Sequence, residues 1–314
     1  MTTLETEGAT EAGEAATPMS PSARLRRRVG LRPRPPGHGD RRRWAAPLRS
    51  PGLLAAYLWI AVILLAAIHP GLFAAGDPLR QDGSQILLAP GADHLFGTDD
   101  FGRDQFTRAV WGTRLSLQAA VVAVAIGLVS GSLIGLVAGA LRGRADSILM
   151  RIIDIMLAVP SLIVSLAIIS ALGRGTLNIA VAIGINSTAG FARLMRSEVL
   201  KVSNAKYVEA SVFAGHGYVR RLFKHVVPNA SRSVLAAATM DIGTAILTVA
   251  ALSFLGLGAP PPTPEWGLLV AEGRTFIGVQ WWLSLLPGLV IVLTVLAVYR
   301  VGRSFNRGRT RVVA

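Results

Sequence analysis

The residues of this chain that could do chemistry are polar side chains set inside long apolar runs. Asp241 lies in one such run, and Thr244 and Thr248 follow it on roughly the same side of a helix. A carboxylate in apolar surroundings is costly, so it usually faces a cavity or a partner, where it can line a path or exchange a proton. For any single hydroxyl, a hydrogen bond to a neighbouring helix is the alternative. The same reasoning predicts further path-lining residues at Ser161, Ser165 and Asn186.

No other set of side chains has the spacing of a catalytic or metal site. The chain has no cysteine, and His216 and His225 are nine residues apart, which does not place them on one helical face. The segment 94–104 is rich in carboxylates and glycines but lacks the regular oxygen spacing of a calcium loop, so we expect a structural turn that seats the following helix. The sequence also lacks a Gly-x-x-x-x-Gly-Lys-Ser/Thr phosphate loop. We therefore expect no catalytic residue, metal or cofactor in this chain.

The elements that position these residues are predicted to be membrane helices. Hydrophobic residues make up 52% of the chain and charged residues only 16%, which excludes an ordinary soluble domain. A membrane helix needs about 20 apolar residues, and the runs are continuously apolar without the alternation of a barrel strand. The sequence predicts an all-α integral membrane protein with six spans, at residues 53–68, 115–141, 152–172, 177–192, 234–257 and 283–301.

The distribution of basic residues predicts the topology. Of the 32 Lys and Arg, 26 lie on one side of the predicted spans and 6 on the other. The positive-inside rule places the richer side in the cytoplasm, together with both termini. Because 29 of the 32 are arginine, the composition also suggests a GC-rich bacterial genome.

The composition further divides the chain into regions. Residues 1–50 have almost nothing to bury and predict a disordered basic cytoplasmic tail, whose arginines enforce topology and contact membrane lipid rather than nucleic acid. Residues 51–112 hold the first span and an external loop. Residues 113–303 hold five spans and a cytoplasmic loop at 193–232, and residues 304–314 form a second basic tail.

One face of the second predicted span consists of glycine. The glycines recur at intervals of four residues, which allows another helix to approach closely. Ordinary glycine enrichment of membrane helices is the alternative, and the sequence leaves open whether the partner helix belongs to this chain. The residues of this face are Gly127, Gly131, Gly135 and Gly139.

A basic, polar segment, Glu209 to Asn229, stands between two of the apolar runs. Its sequence predicts a short helix from 209 to 214, a turn at Gly215, and a second basic amphipathic helix that Pro228 ends before the next span.

The spacing within this segment resembles the cytoplasmic loop of bacterial ABC-importer permeases. That pattern is Glu-Ala-Ala, three residues, Gly, and a Leu-Pro thirteen residues beyond the glycine. Glu209, Ala210, Gly215 and Pro228 match it, whereas Ser211 replaces the second alanine and Val227 the leucine.

Other stretches are similar to the dipeptide and oligopeptide branch of these permeases, the DppC- or OppC-like subunits, and the resemblance covers about residues 45–305. Val249 departs from it, since many relatives have an acidic residue there. The matching stretches are 94–104, 150–154, Pro160 with Ser161, Ala192 with Arg193, 252–258 and 262–267.

The resemblance implies a six-helix type I ABC-importer permease in a bacterial plasma (inner) membrane. It implies ATP and Mg²⁺ bound by one or two separate ATPase subunits, a second homologous permease subunit, an external substrate-binding protein and a peptide substrate. It also implies that the segment docks on the ATPase, with the contact residues Glu209, Ala210, Ser211, Gly215, Pro228 and Asn229.

Nickel and glutathione importers share these motifs, so the cargo stays open. An explanation of a different class is a proton-coupled secondary transporter that uses Asp241 as its titrating group. A membrane-embedded enzyme is a third, although the sequence offers no convergent catalytic set for it.

Overall fold

The computed structural model describes residues 51–307. The predicted tail at 1–50 lies outside the described residues, as does most of the tail at 304–314, where the last helix continues to Arg307. Within 51–307 every regular element is a helix, and the one strand-type contact is an isolated bridge between Thr98 and Asp104. The predicted all-α architecture is confirmed for this part of the chain.

The helices of residues 51–307 are joined by short connections, apart from a longer loop between the first two. A single 3₁₀ turn lies at Pro70–Leu72 and another at Arg274–Phe276. The helices are α1 (Pro51–Ile68), α2 (Gln105–Leu141), α3 (Gly143–Ala158), α4 (Ser161–Leu172), α5 (Thr176–Ser203), α6 (Lys206–Phe213), α7 (Tyr218–Arg221), α8 (Val227–Phe254), α9 (Trp266–Gly273) and α10 (Trp282–Arg307).

The third predicted span, residues 152–172, is two helices rather than one. α3 and α4 meet at an angle of 91°. Pro160 has no backbone N–H and disfavours helical backbone in the residue before it, and Val159 is accordingly extended, with φ −89° and ψ 132°. α4 has 12 residues, or about 18 Å, which is too short to cross a core of about 30 Å alone.

The number of spans depends on how the bent pair and α5 are counted. Among the described residues, α1, α2, α8 with its preceding turns, and α10 are long and apolar enough to cross a membrane, and the bent pair makes a fifth candidate. α5 has 28 residues but carries polar groups at its centre and charges in its last turns. The count of six and the cytoplasmic termini therefore stay predictions.

The prediction that Pro228 ends the basic helix is wrong. α7 continues through one turn of π-helix at Leu222–Val226 directly into α8. In this wider turn the Val227 N–H donates to the Leu222 carbonyl, so the hydrogen-bond register shifts by one residue just before the proline. The helix therefore passes Pro228 without a break.

The core is centred on the contact between α2 and α5. The glycine face of α2 lies against α5 of the same chain, so close that a β-carbon on Gly127 would lie 2.6 Å from Ser187 Cβ, and one on Gly131 would lie 2.6 Å from Phe191 Cβ. Gly135 lies against the Ala192 carbonyl and Gly139 against Val199. Small residues thus let two long helices pack backbone to backbone.

Candidate functional site

The segment Glu209 to Asn229, called the coupling segment below, forms a helical hairpin beside the ends of α2 and α5. In α6, Val208 and Ser211 face inward and are buried, and the Ser211 hydroxyl donates to the Val208 carbonyl at 2.6 Å. Glu209 and Ala210 are exposed. Position 211 therefore suits a small residue that packs, whereas the carboxylate beside it is available to a partner.

Gly215 closes α6 in a left-handed turn. Its φ is +76°, its N–H donates to the Val212 carbonyl at 2.9 Å, and the His216 N–H donates to the Ser211 carbonyl at 3.1 Å. This pair of bonds is the Schellman arrangement, in which glycine is favoured because it has no β-carbon to strain. The predicted turn at Gly215 thus has a defined geometry.

The second half of the hairpin is tied to both neighbouring helices. The Tyr218 hydroxyl donates to the Ala140 carbonyl in the last turn of α2 at 2.5 Å. The Asn229 side-chain amide donates to the His225 carbonyl at 2.7 Å, which supports the helix next to exposed Pro228. Movement of this half would therefore be passed directly to α2 and α8.

A cleft of about 330 Å³ separates the hairpin from the ends of α2 and α5. Glu209 and Arg221 both line it, but no ion pair of Glu209 is found within residues 51–307. Partial burial, reinforced by the nearby cations Arg220 and Lys224, lowers the pKa of His216 below its ordinary value, so this imidazole is neutral near pH 7. The segment thus offers an unpaired carboxylate within a basic surface.

The predicted path-lining residues of α4, α5 and α8 lie close together at membrane depth. The Asn186 amide donates to the Ser161 carbonyl at 3.0 Å and to Ser165 Oγ at 2.8 Å, and the Ser187 hydroxyl lies near the Asp241 carboxylate. Asn186 is ten residues, or about 15 Å, from the start of α5. We call these five residues, Ser161, Ser165, Asn186, Ser187 and Asp241, the polar belt.

The two threonines of α8 are satisfied inside the chain. The Thr244 and Tyr299 hydroxyls lie 2.7 Å apart, and Thr248 donates to the Thr244 carbonyl at 2.9 Å. Thr244 is nevertheless on the exposed side of α8. The two threonines therefore make this side of α8 polar but uncharged.

A buried ion cluster at the opposite end of α2 was not foreseen from the sequence. Asp99 Oδ2 pairs with Arg103 Nε at 2.6 Å and with Arg108 Nη1 at 2.7 Å, and Arg108 also pairs with Glu272 at 2.9 Å. Asp104 caps α2 by accepting the Thr107 N–H at 2.7 Å. The segment 94–104 thus seats α2 as expected, but the partner Glu272 lies too far away in sequence to be recognised from spacing.

Another unforeseen group is Glu265, which is fully buried at the start of α9. It accepts the backbone N–H groups of Gly267 and Leu268 and the Ser116 hydroxyl, at 3.0–3.1 Å. The neighbouring Trp266 indole donates to the Ala109 carbonyl of α2 at 2.9 Å. The available signal was a carboxylate directly before an apolar helical run, which is the position of an N-cap.

Comparison with known proteins identifies the family. Residues 131–311 match the family described as "Binding-protein-dependent transport system inner membrane component". The chain is 41% identical to the "Di/tripeptide transport system permease protein DppC" of Pseudomonas aeruginosa, over 82% of this chain and 88% of the relative. It is 41% identical to the "Probable D,D-dipeptide transport system permease protein DdpC" of Escherichia coli, over 78% and 82%. The "Glutathione transport system permease protein GsiD" of Pectobacterium atrosepticum is 36% identical, over 81% and 85%.

Two solved structures share the fold. An amino acid ABC transporter aligns with a TM-score of 0.54 at 17% identity, over 64% of this chain and 94% of its own. The MetNI methionine ABC transporter in an inward-facing conformation aligns with a TM-score of 0.50 at 20% identity, over 63% and 96%. The chain therefore belongs to the binding-protein-dependent transport system inner membrane components, the ABC-importer permease subunits that work with separate ATPase and binding-protein partners and do not hydrolyse ATP themselves.

Proposed function

We propose that this permease imports short peptides across a bacterial inner membrane, as one half of a path completed by a second homologous permease subunit. The names of the DppC and DdpC relatives, at 41% identity over most of both chains, support a peptide cargo. Glutathione, the cargo named for a 36% identical relative, is itself a small peptide. Both kinds of cargo, dipeptides and glutathione, require a path that accepts a small, polar, zwitterionic molecule.

The observation that carries the proposal is the exposed face of the coupling segment. Phe213 is 92% exposed, Val219 66% and Phe223 61%, and Glu209 of the same hairpin has no ion partner within residues 51–307. An exposed hairpin that presents two aromatic rings and a carboxylate without an ion partner among residues 51–307 is suited to docking on another protein. We assign this face to the ATPase, with Glu209, Ala210, Ser211, Gly215, Pro228 and Asn229 forming or shaping the contact.

The geometry then suggests how ATP binding in the partner reaches the path. The turn at Gly215 fixes α6 against α7, and α7 is continuous with α8, which carries Asp241 of the polar belt. Because the connection is helical throughout, a displacement of the docked hairpin moves α8 as a rigid body rather than being absorbed in a loop. The polar belt is proposed to line the path that this movement opens and closes.

The test is transport by the complete complex in proteoliposomes. Glu209→Ala removes the unpaired carboxylate, and Gly215→Val places a branched side chain at φ +76°, so both are expected to reduce ATP-driven peptide uptake by more than about tenfold while the subunit still inserts. Glu198→Ala is the matched control, since this carboxylate pairs with Lys201 in α5, outside the coupling segment. Normal ATP-driven uptake in both variants would rule out the assigned docking role.

The cargo is tested separately through the binding protein that co-purifies with the complex. A ligand screen on that protein, comparing dipeptides, longer peptides, glutathione and Ni²⁺, should return a peptide. Binding of Ni²⁺ alone would contradict the peptide assignment and leave the permease assignment in place.

A further inference from the structure

Asp241 is a carboxylate near the centre of a membrane helix. α8 begins at Val227 and ends at Phe254, so Asp241 lies about 20 Å from either end. A charge at this depth is costly unless a partner or water compensates it, and such residues usually face a cavity. The question is therefore which group provides that compensation.

The chain itself provides only a hydroxyl. The Ser187 hydroxyl lies near the Asp241 carboxylate, and no Lys, Arg or His forms an ion pair with Asp241 within residues 51–307. Two carboxylates of α3 are treated differently, since Asp146 is bound by Arg196 and Asp154 by Arg193, each at 2.5 Å. A neutral hydroxyl offers one hydrogen bond and does not balance the charge.

The position of Asp241 also leaves it accessible. It is half-buried, and Thr244 and Leu247, one turn and about two turns further along the outward side of α8, are exposed. The adjacent part of α5 is open as well, since a β-carbon on Gly190 would meet no atom within 4 Å. The carboxylate therefore lies at the surface of the polar belt rather than inside the packed core.

We propose that Asp241 binds the protonated amino group of the transported peptide as the cargo passes the polar belt. The assignment rests on the proposed function, because it names a contact within the proposed path. Asp241 is the charged member of the belt, whereas Asn186, Ser161 and Ser165 satisfy one another. A peptide ammonium supplies the charge and the donors that Ser187 does not, and the belt leaves room for it beside α5.

The experiment uses the complete complex, with its binding protein saturated with dialanine, and measures peptide accumulated per ATP hydrolysed. Asp241→Asn is expected to lower this ratio by about tenfold, since the charged hydrogen bond to the cargo is lost. Asp241→Glu keeps the charge and is expected to retain most of the ratio. Asp154→Asn is the matched control, because it removes a carboxylate that is half-exposed and paired with Arg193 outside the belt.

Three outcomes decide against the proposal. An unchanged ratio in Asp241→Asn shows that the carboxylate does not contact cargo. Failure of this variant to co-purify with the second permease subunit shows that Asp241 instead pairs with a basic group there, which also overturns the assignment. Absence of ATP-driven peptide uptake by the unmodified complex contradicts the proposed function itself, and the assignment with it.

Discussion

Glu265 is a buried carboxylate whose oxygens both have partners at the start of α9. Two backbone N–H groups and the Ser116 hydroxyl satisfy it, and the Trp266 N–H in turn donates to Ser116 Oγ at 3.1 Å. Burial raises the pKa of Glu265 above its ordinary value, although the hydrogen bond from Gly267 acts in the opposite direction. The folded protein therefore holds a proton on this group more tightly than the unfolded chain does.

The linkage gives a pH dependence with a definite sign. Because the folded pKa is raised, the stabilisation is complete below the unfolded pKa and is lost as pH rises through the folded pKa. The apparent Tm of the detergent-solubilised complex should therefore fall as the pH rises above the ordinary pKa of a glutamate, which is about 4.3. Glu265→Gln mimics the protonated form and should flatten this dependence, as measured by thermal scans across the range. An equally steep dependence in the variant would show that other groups cause it.

Some of the charged residues described above could be recognised from the sequence, and others could not. Asp241 could be selected from sequence because its apolar neighbours make a carboxylate conspicuous. Arg108 could not, since it follows a polar segment, where a charge is normally solvated, and Glu265 follows a proline-rich stretch that indicates an N-cap but not burial. Arg108 is fully buried only because Glu272, distant in sequence, folds onto it.

At the scale of the helix, the glycine face of α2 has no space for a side chain. A β-carbon on Gly135 would lie 2.8 Å from Met195 Cβ and closer still to the Ala192 carbonyl. Because the obstacle is backbone, no side-chain rotation can relieve it. The two helices would have to separate.

Gly135→Val is therefore expected to destabilise the subunit by about 3 kcal/mol and to lower the apparent Tm of the complex by several degrees. Gly288→Ala in α10 is the control, because a β-carbon there meets no atom within 4 Å. Thermal unfolding followed by intrinsic fluorescence would measure both. A Tm for Gly135→Val equal to that of the control would contradict the packing described.

Apolar runs predicted the ends of a helix well where the helix is apolar along its whole length. The run 53–68 corresponds to α1, which begins two residues earlier. The run 115–141 missed the first ten residues of α2, because the turns after the Asp104 cap are polar and pack against other parts of the protein. Proline alone does not decide whether a helix breaks: the chain is extended at Val159 before Pro160, whereas the π-turn at Leu222–Val226 keeps the helix continuous through Pro228.

At the scale of the whole molecule, the helix is continuous from α7 to α8, so the proposed transmission of movement depends on the stiffness of this helix. Two glycines inserted between Val226 and Val227 would interrupt the helix while leaving the exposed face of the coupling segment intact. We expect ATPase subunits still to co-purify, but the stimulation of ATP hydrolysis by the loaded binding protein to fall by roughly tenfold.

The control for this prediction is the same insertion between Gly278 and Val279, in a turn where a β-carbon on Gly278 meets no atom within 4 Å. It should leave the stimulation near that of the unmodified complex. Full stimulation in the Val226–Val227 insertion would mean that a flexible connection transmits the movement equally well.

The exposure of Phe213 also has a consequence inside the cell. A nearly free aromatic ring, with Val219 and Phe223 exposed on the same hairpin, is the kind of surface that chaperones and quality-control proteases bind. Under the proposed docking, a copy of this subunit made without its ATPase would display that surface permanently. The exposed rings would then identify incompletely assembled copies for degradation, which would keep the amounts of the subunits in balance.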